Sequence, residues 1–98
     1  MAATRTRRTP APGAGLRLRI LLFAAARTAV GTRSFEWPVP AQGTTVRELL
    51  AQLSEAHPSL SPVLAHSRFF RDGRAVTRRD ERVKPGEEFA VHPPYGGG

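Results

Sequence analysis

From Leu16 to Phe23 apolar and basic residues alternate, and then the chain turns wholly apolar. Side chains alternate along an extended chain, so Leu16, Leu18, Ile20 and Leu22 share one side, with Arg17, Arg19 and Leu21 on the other. The pattern predicts a strand with one face in the core, buried on both faces toward its end, as in the interior of a sheet. Ala24–Arg33 has small residues and Gly31, and reads as a loop with at most one helical turn. Alternation returns in Ser34–Pro40, where Phe35, Trp37 and Val39 share a face packed on the core. Pro38 and Pro40 lack the amide donors of a central strand and restrict this one to an edge or a strand end. Ala41-Gln42-Gly43 forms a turn. Thr45-Val46-Arg47-Glu48 is a capping box, and Val46, Leu49, Leu50 and Leu53 fall at the i, i+3, i+4, i+7 spacing of one helical face. His57-Pro58 stops that helix, which runs from about Val46 to Ala56.

The second half of the chain is built of shorter pieces. Ser59–Ser67 is a linker with a short turn, its Leu60, Val63 and Leu64 plugging the core. Arg68–Arg71 and Arg74–Val76 flank Asp72-Gly73, the signature of a tight hairpin. Thr77–Arg82 reads as polar loop, and Pro85-Gly86 stands in the order of a type II turn. Glu88–His92 forms the last strand, with Phe89 and Val91 on one face. The first and last strands are the most apolar. The economical arrangement is an α+β domain: a mixed sheet of four to five strands, with those two strands central, packed on one main helix.

Composition narrows the function. The chain has 98 residues, 40% of them hydrophobic, which suits one small domain. It has no cysteine, which excludes disulfides, thiolate metal sites and a cysteine nucleophile. Fifteen Lys+Arg against eight acids give a net charge of +7. Arg5, Arg7 and Arg8 lie in residues 1–15, a stretch without periodicity or bulk expected to be a disordered basic arm. The remaining arginines are scattered, without the stripe and interleaved aromatics that follow a phosphate backbone, so no nucleic-acid partner is expected. The apolar run around Ile20–Ala26 is interrupted by arginines on both sides and is shorter than a membrane span. A cytoplasmic protein without a membrane partner is expected.

The chain ends in His92-Pro93-Pro94-Tyr95-Gly96-Gly97-Gly98. Two prolines stiffen the approach, and three glycines present a bare α-carboxylate on a backbone thin enough to thread a narrow channel. Residues 16–95 then make the domain and residues 96–98 its tail. The capped helix, the strand order, Leu18–Gly31 with Ala24-x-x-Arg27-x-x-Val30-Gly31, and Pro85–Pro94 running into glycines resemble the ubiquitin-like β-grasp sulfur carriers of the MoaD/ThiS group, above all the small subunit of molybdopterin synthase. The resemblance covers residues 16–98 and is most specific at its two ends. It implies that the terminal carboxylate, on Gly98 or on Gly97 if Gly98 is removed, is adenylated by an E1-like enzyme using ATP and Mg²⁺. A sulfur donor such as a persulfide enzyme then converts it to a thiocarboxylate. The sulfur passes to molybdopterin, or to thiamin, cysteine or a specialised metabolite, on an acceptor synthase or larger synthase subunit.

By the same resemblance the chain is a co-substrate rather than an enzyme and binds no cofactor itself. Gly96, Tyr95, Pro94, Pro93, His92 and Phe89 are its implied partner contacts. Phe69, Phe70 and Phe89 are candidate docking aromatics, each also expected to pack in the core. The chain departs from the family pattern at His92, where an aromatic residue is usual, at Tyr95, where a small or β-branched one is common, and at the third glycine. The alternative is a ubiquitin-like protein modifier or a non-catalytic β-grasp binding module. The lone Lys84 offers a single site for self-conjugation. His57, His66 and His92 lack metal spacing, and the adjacent pairs Asp80-Glu81 and Glu87-Glu88 point to opposite faces of an extended chain, which disfavours an acid–base dyad.

Overall fold

The computed structural model describes residues 16–94, so the expected arm at 1–15 and Tyr95 to Gly98 lie outside the described residues. Strand β1 (Arg17–Leu22) leads into helix α1 (Ala24–Val30) and strand β2 (Ser34–Pro38). A two-residue strand β3 (Thr44–Thr45) precedes the main helix α2 (Val46–Ala56). A 3₁₀ turn (Pro58–Leu60) and a short helix α3 (Ser61–Leu64) follow. Strands β4 (Arg68–Arg71), β5 (Arg74–Ala75), β6 (Arg82–Val83) and β7 (Glu88–His92) complete the described chain.

Five strands form a mixed sheet in the order β2-β1-β7-β4-β5. The first and last strands are its parallel centre, with Arg19 opposite Glu88 and Leu22 opposite Val91. The inward side chains Leu18, Ile20, Leu22, Phe69, Phe89 and Val91 are buried, and Val46, Leu49 and Leu53 of α2 meet them. Leu60 and Leu64 close the same core, as their spacing suggested. β2 is an edge strand, in keeping with Pro38. The capping box is complete. The Glu48 amide donates to Thr45 Oγ1 at 3.1 Å, and the Thr45 amide donates to Glu48 Oε1 at 3.3 Å. Asp72 and Gly73 have φ of 48° and 83°, the left-handed pair of a type I′ hairpin turn.

Three expectations are corrected. Ala24–Arg33 is mostly a seven-residue helix, closed by Gly31 at φ 94° with its amide donating to the Arg27 carbonyl. Alanines without amphipathic periodicity carry no helix signal of their own, and only Ala26 is buried. Arg82 belongs to a strand rather than to a loop, because β6 pairs with β3 in a separate two-stranded ribbon. A pair of two-residue strands has no readable alternation. Finally, the end of β1 is buried on one face only, since α2 covers the inner side of the sheet while Leu21 stays half-buried and Phe23 is 36% exposed.

Candidate functional site

β7 runs through the middle of the sheet and delivers Pro93 and Pro94 directly from its end. The side chains that alternate with the core set form the outer face. Leu21 pairs with Ala90, Ala90 with Phe70, and Phe70 with Ala75, so one apolar row crosses four strands. Phe23 and His92 extend this row toward the tail, their rings stacked at 4.2 Å and 17°. Phe70 meets His92 edge-on, with centroids 4.9 Å apart.

Phe23 is placed there by a sharp turn. Its amide donates to the Val91 carbonyl at 3.2 Å, and Ala24 takes φ 51°, swinging the chain into α1. The result is a shallow apolar depression of about 350 Å³ between Phe23, Phe70, Ala90 and His92. Beside it lies a second depression, lined by His66, Arg68, Phe70, His92, Pro93 and Pro94. The root of the tail therefore stands between an apolar face and a basic flank. The far end of the face is charged, with Arg19 3.6 Å from Glu36.

Of the residues named from sequence, the structure brings His92, Pro93 and Pro94 together on this face. Phe89 is elsewhere. It is fully buried and stacks on Phe69 at 5.4 Å, so its side chain is core, and its placement as a partner contact is corrected. The reason is parity: Phe89 and Val91 share the inner face of β7, and only Glu88, Ala90 and His92 point outward. Tyr95, Gly96, Gly97 and Gly98 lie outside the described residues. Phe23 was missed. Its signal was present, because the outward series Arg17, Arg19, Leu21, Phe23 changes from charged to apolar just where the strand ends.

The titratable groups serve the scaffold. Glu48 is held below the ordinary carboxylate range, first by the Thr45 amide and then by the Thr44 hydroxyl. Asp80 is lowered first by its Arg78 hydrogen bonds, and Glu81 first by the Thr77 amide. Among the described residues no group of three or more His, Asp or Glu side chains is placed to hold a metal ion. Nor is any helix among them long and apolar enough to cross a membrane.

The model of the ThiS family matches residues 20–98. The chain belongs to the ThiS family. It is 32% identical over 84 residues to the molybdopterin synthase sulfur carrier subunit of Chlamydomonas reinhardtii, covering 85% of this chain and 100% of that protein. Among solved structures, small archaeal modifier protein 1 of Haloferax volcanii superposes with a TM-score of 0.71 at 31% identity, over 84% of this chain and 99% of that one. Subunit 1 or 2 in a complex of the two from the molybdopterin-converting factor of Helicobacter pylori matches with a TM-score of 0.64 over 85% of this chain and 100% of that one. At 18% identity that likeness shows the fold alone. The ThiS-family chain is thus a ubiquitin-like β-grasp sulfur carrier of the MoaD/ThiS type, and it is not itself a catalyst.

Proposed function

We propose that this ThiS-family chain carries sulfur as a C-terminal thiocarboxylate for molybdopterin biosynthesis. The observation that carries the reading is the position of the tail root. A central strand, paired on both sides, holds Pro93-Pro94 beside a half-buried apolar face with Phe23 exposed at its end, so a partner can seat on the face while its active site receives the terminus. The chain has no cysteine, which is compatible with sulfur carried on the terminal carboxylate.

An E1-like enzyme with ATP and Mg²⁺ supplies the activation: a carboxylate oxygen attacks the α-phosphorus, pyrophosphate leaves, and an acyl-adenylate forms. Sulfide displaces AMP to give the thiocarboxylate directly. A donor persulfide gives an acyl disulfide that a thiol then cleaves. The chain's own part is to position and to fit. Leu21, Phe23, Phe70 and His92 dock, the prolines direct the exit, and glycines without Cβ atoms enter the site. The Chlamydomonas relative, a synthase subunit by name, favours molybdopterin as the destination and a larger synthase subunit as the acceptor partner.

The likeness to an archaeal modifier protein at 31% identity favours one second reading, in which the same activated carboxylate forms an isopeptide bond with a lysine of a target protein. Mass spectrometry of the C-terminal peptide, on protein isolated from its own cells, separates the two. Sulfur in place of one carboxylate oxygen is the expected result. A free carboxylate that persists after incubation with ATP, activating enzyme and sulfur donor would refute the carrier proposal, and a branched lysine peptide would establish the modifier. The same spectrum reports whether the terminal residue is Gly97 or Gly98.

A further inference from the structure

The outer face of the sheet differs in charge at its two ends, and the apolar row Leu21–Ala90–Phe70 lies midway between them. On β1, Phe23 lies two residues beyond Leu21 toward the tail and Arg19 two residues before it. On β7, His92 and Glu88 stand in the same relation to Ala90, and both line the depression over it. On β4, Arg68 lies two residues from Phe70 and directly opposite His92. At the other end of β4, Asp72 accepts the Glu88 amide at 2.8 Å. The tail end thus carries Arg68, His66 and His92, and among the described residues no acid lines its depression. The far end carries Glu36, Glu88 and Asp72 against Arg19, which Glu36 holds at 3.6 Å. Arg17 and Glu87 border that end and offset each other. Arg68 and Glu88 are exposed and take part in neither of the two ion pairs found among the described residues.

A half-turn about an axis along the apolar row lays this face on a second copy of itself. Each strand then lies over its own counterpart, running the opposite way, and the tail end of one copy covers the far end of the other. Leu21 and Phe70 meet their equivalents. Glu88 faces the second copy's His92, with Arg68 beside it, and Arg19 faces the second copy's Phe23 ring. Two residues along a strand span about 6.7 Å on either side of the row, so these contacts fall into register together.

We propose that the free chain pairs with a second copy through this face, as a weak two-fold dimer held by the apolar row and by Glu88 against the second copy's His92 and Arg68. The face is three strands wide and about 13 Å long, small beside the ~800 Å² per partner of a standard complex, so the dimer forms at high concentration and yields to a larger partner. The net charge of +7 opposes approach. At ~0.15 M salt that repulsion is screened beyond about 8 Å, while charges in contact still attract. Pairing covers Phe23, Phe70 and His92, so on the docking reading above it shields the face until a partner displaces the second copy. The test is sedimentation equilibrium of the full chain at ~0.15 M salt, from micromolar to millimolar concentration, with amide NMR spectra over the same range. Expected is a reversible monomer–dimer equilibrium, with shifts on dilution confined to residues 19–23, 68–73 and 88–92. Glu88→Lys, at an exposed position, is expected to keep its melting temperature and to weaken the dimer roughly tenfold, and His92→Glu to weaken it likewise. An equimolar mixture of the two variants is expected to regain the dimer, because the mixed pair sets opposite charges against each other at both contacts. A monomer throughout the range would overturn the proposal. So would a dimer that Glu88→Lys leaves unchanged, a mixture that stays monomeric, or shifts that map to α2. No activating enzyme or sulfur donor enters this test, so its outcome is read separately from that of the carrier proposal.

Discussion

At Ala24 the backbone takes φ 51°, where an L side chain is crowded and glycine is not. Ala24→Gly is therefore expected to be neutral or to stabilise by up to ~1 kcal/mol, against a loss of similar size at an ordinary helical position. Urea denaturation decides. Gly43 is the opposite case. At φ 84° a Cβ would strike the Val83 carbonyl oxygen of the strand paired beside it, so Gly43→Ala is expected to cost about 1–3 kcal/mol. The cap of α2 adds a pH dependence. Glu48 is depressed because the Thr45 amide and Thr44 hydroxyl bond its ionised form, so its stabilising effect is complete above the unfolded carboxyl pKa of ~4.3. That effect is lost as pH falls through the lower folded value. The gap in stability between wild type and Glu48→Ala, followed by urea melts from neutral to acid pH, is expected to close below that range. Thr45→Ala, which removes the N-cap acceptor itself, is expected to cost about 1 kcal/mol at neutral pH.

At the scale of elements, the two faces of the sheet make opposite predictions. Phe89 is fully buried against Phe69, and Phe89→Ala is expected to cost about 3–5 kcal/mol with cavity formation. Phe23, on the outer side, is 36% exposed, and Phe23→Ser is expected to change stability by only about 0.5 kcal/mol. The same substitution is expected to weaken docking to the activating enzyme or the larger synthase subunit roughly tenfold or more. Calorimetry for binding and thermal melts for folding separate the two effects, and wild-type affinity in Phe23→Ser would remove the outer face from the proposed interface. How much of this was legible follows strand by strand. Alternation in β1 and β7, the Thr45–Glu48 box and the Asp72-Gly73 turn are local signals, and the structure carries each of them. α1 was not legible because three alanines have no polar face to set a period. β6 was not because its two residues are a strand only by pairing with Thr44 and Thr45.

For the whole molecule, the parallel pairing of β1 with β7 ties the tail root to the centre of the sheet. Loss of the two terminal glycines lies beyond this frame. Truncation of Gly97-Gly98, or one large residue added after Gly98, is expected to leave the melting temperature unchanged and to abolish sulfur transfer in a reconstituted assay. Full transfer by both variants would end the thiocarboxylate reading. The sequence by itself determined the inner half of the molecule. Core-facing positions must be apolar at the period of their element, and that constraint writes β1, α2 and β7 into the chain one residue at a time. The glycine tail is read from composition alone, and the chemistry proposed for it does not depend on the fold. Only the tertiary structure decided the outer half. Leu21, Phe23, Phe70, Ala90 and His92 come from three separated segments, and nothing in sequence says that they meet on one face. Parity along each strand brings them together, on a side that no helix covers among the described residues. The same assembly buries Phe89 and leaves Phe70 half exposed, although each is an aromatic in an apolar strand.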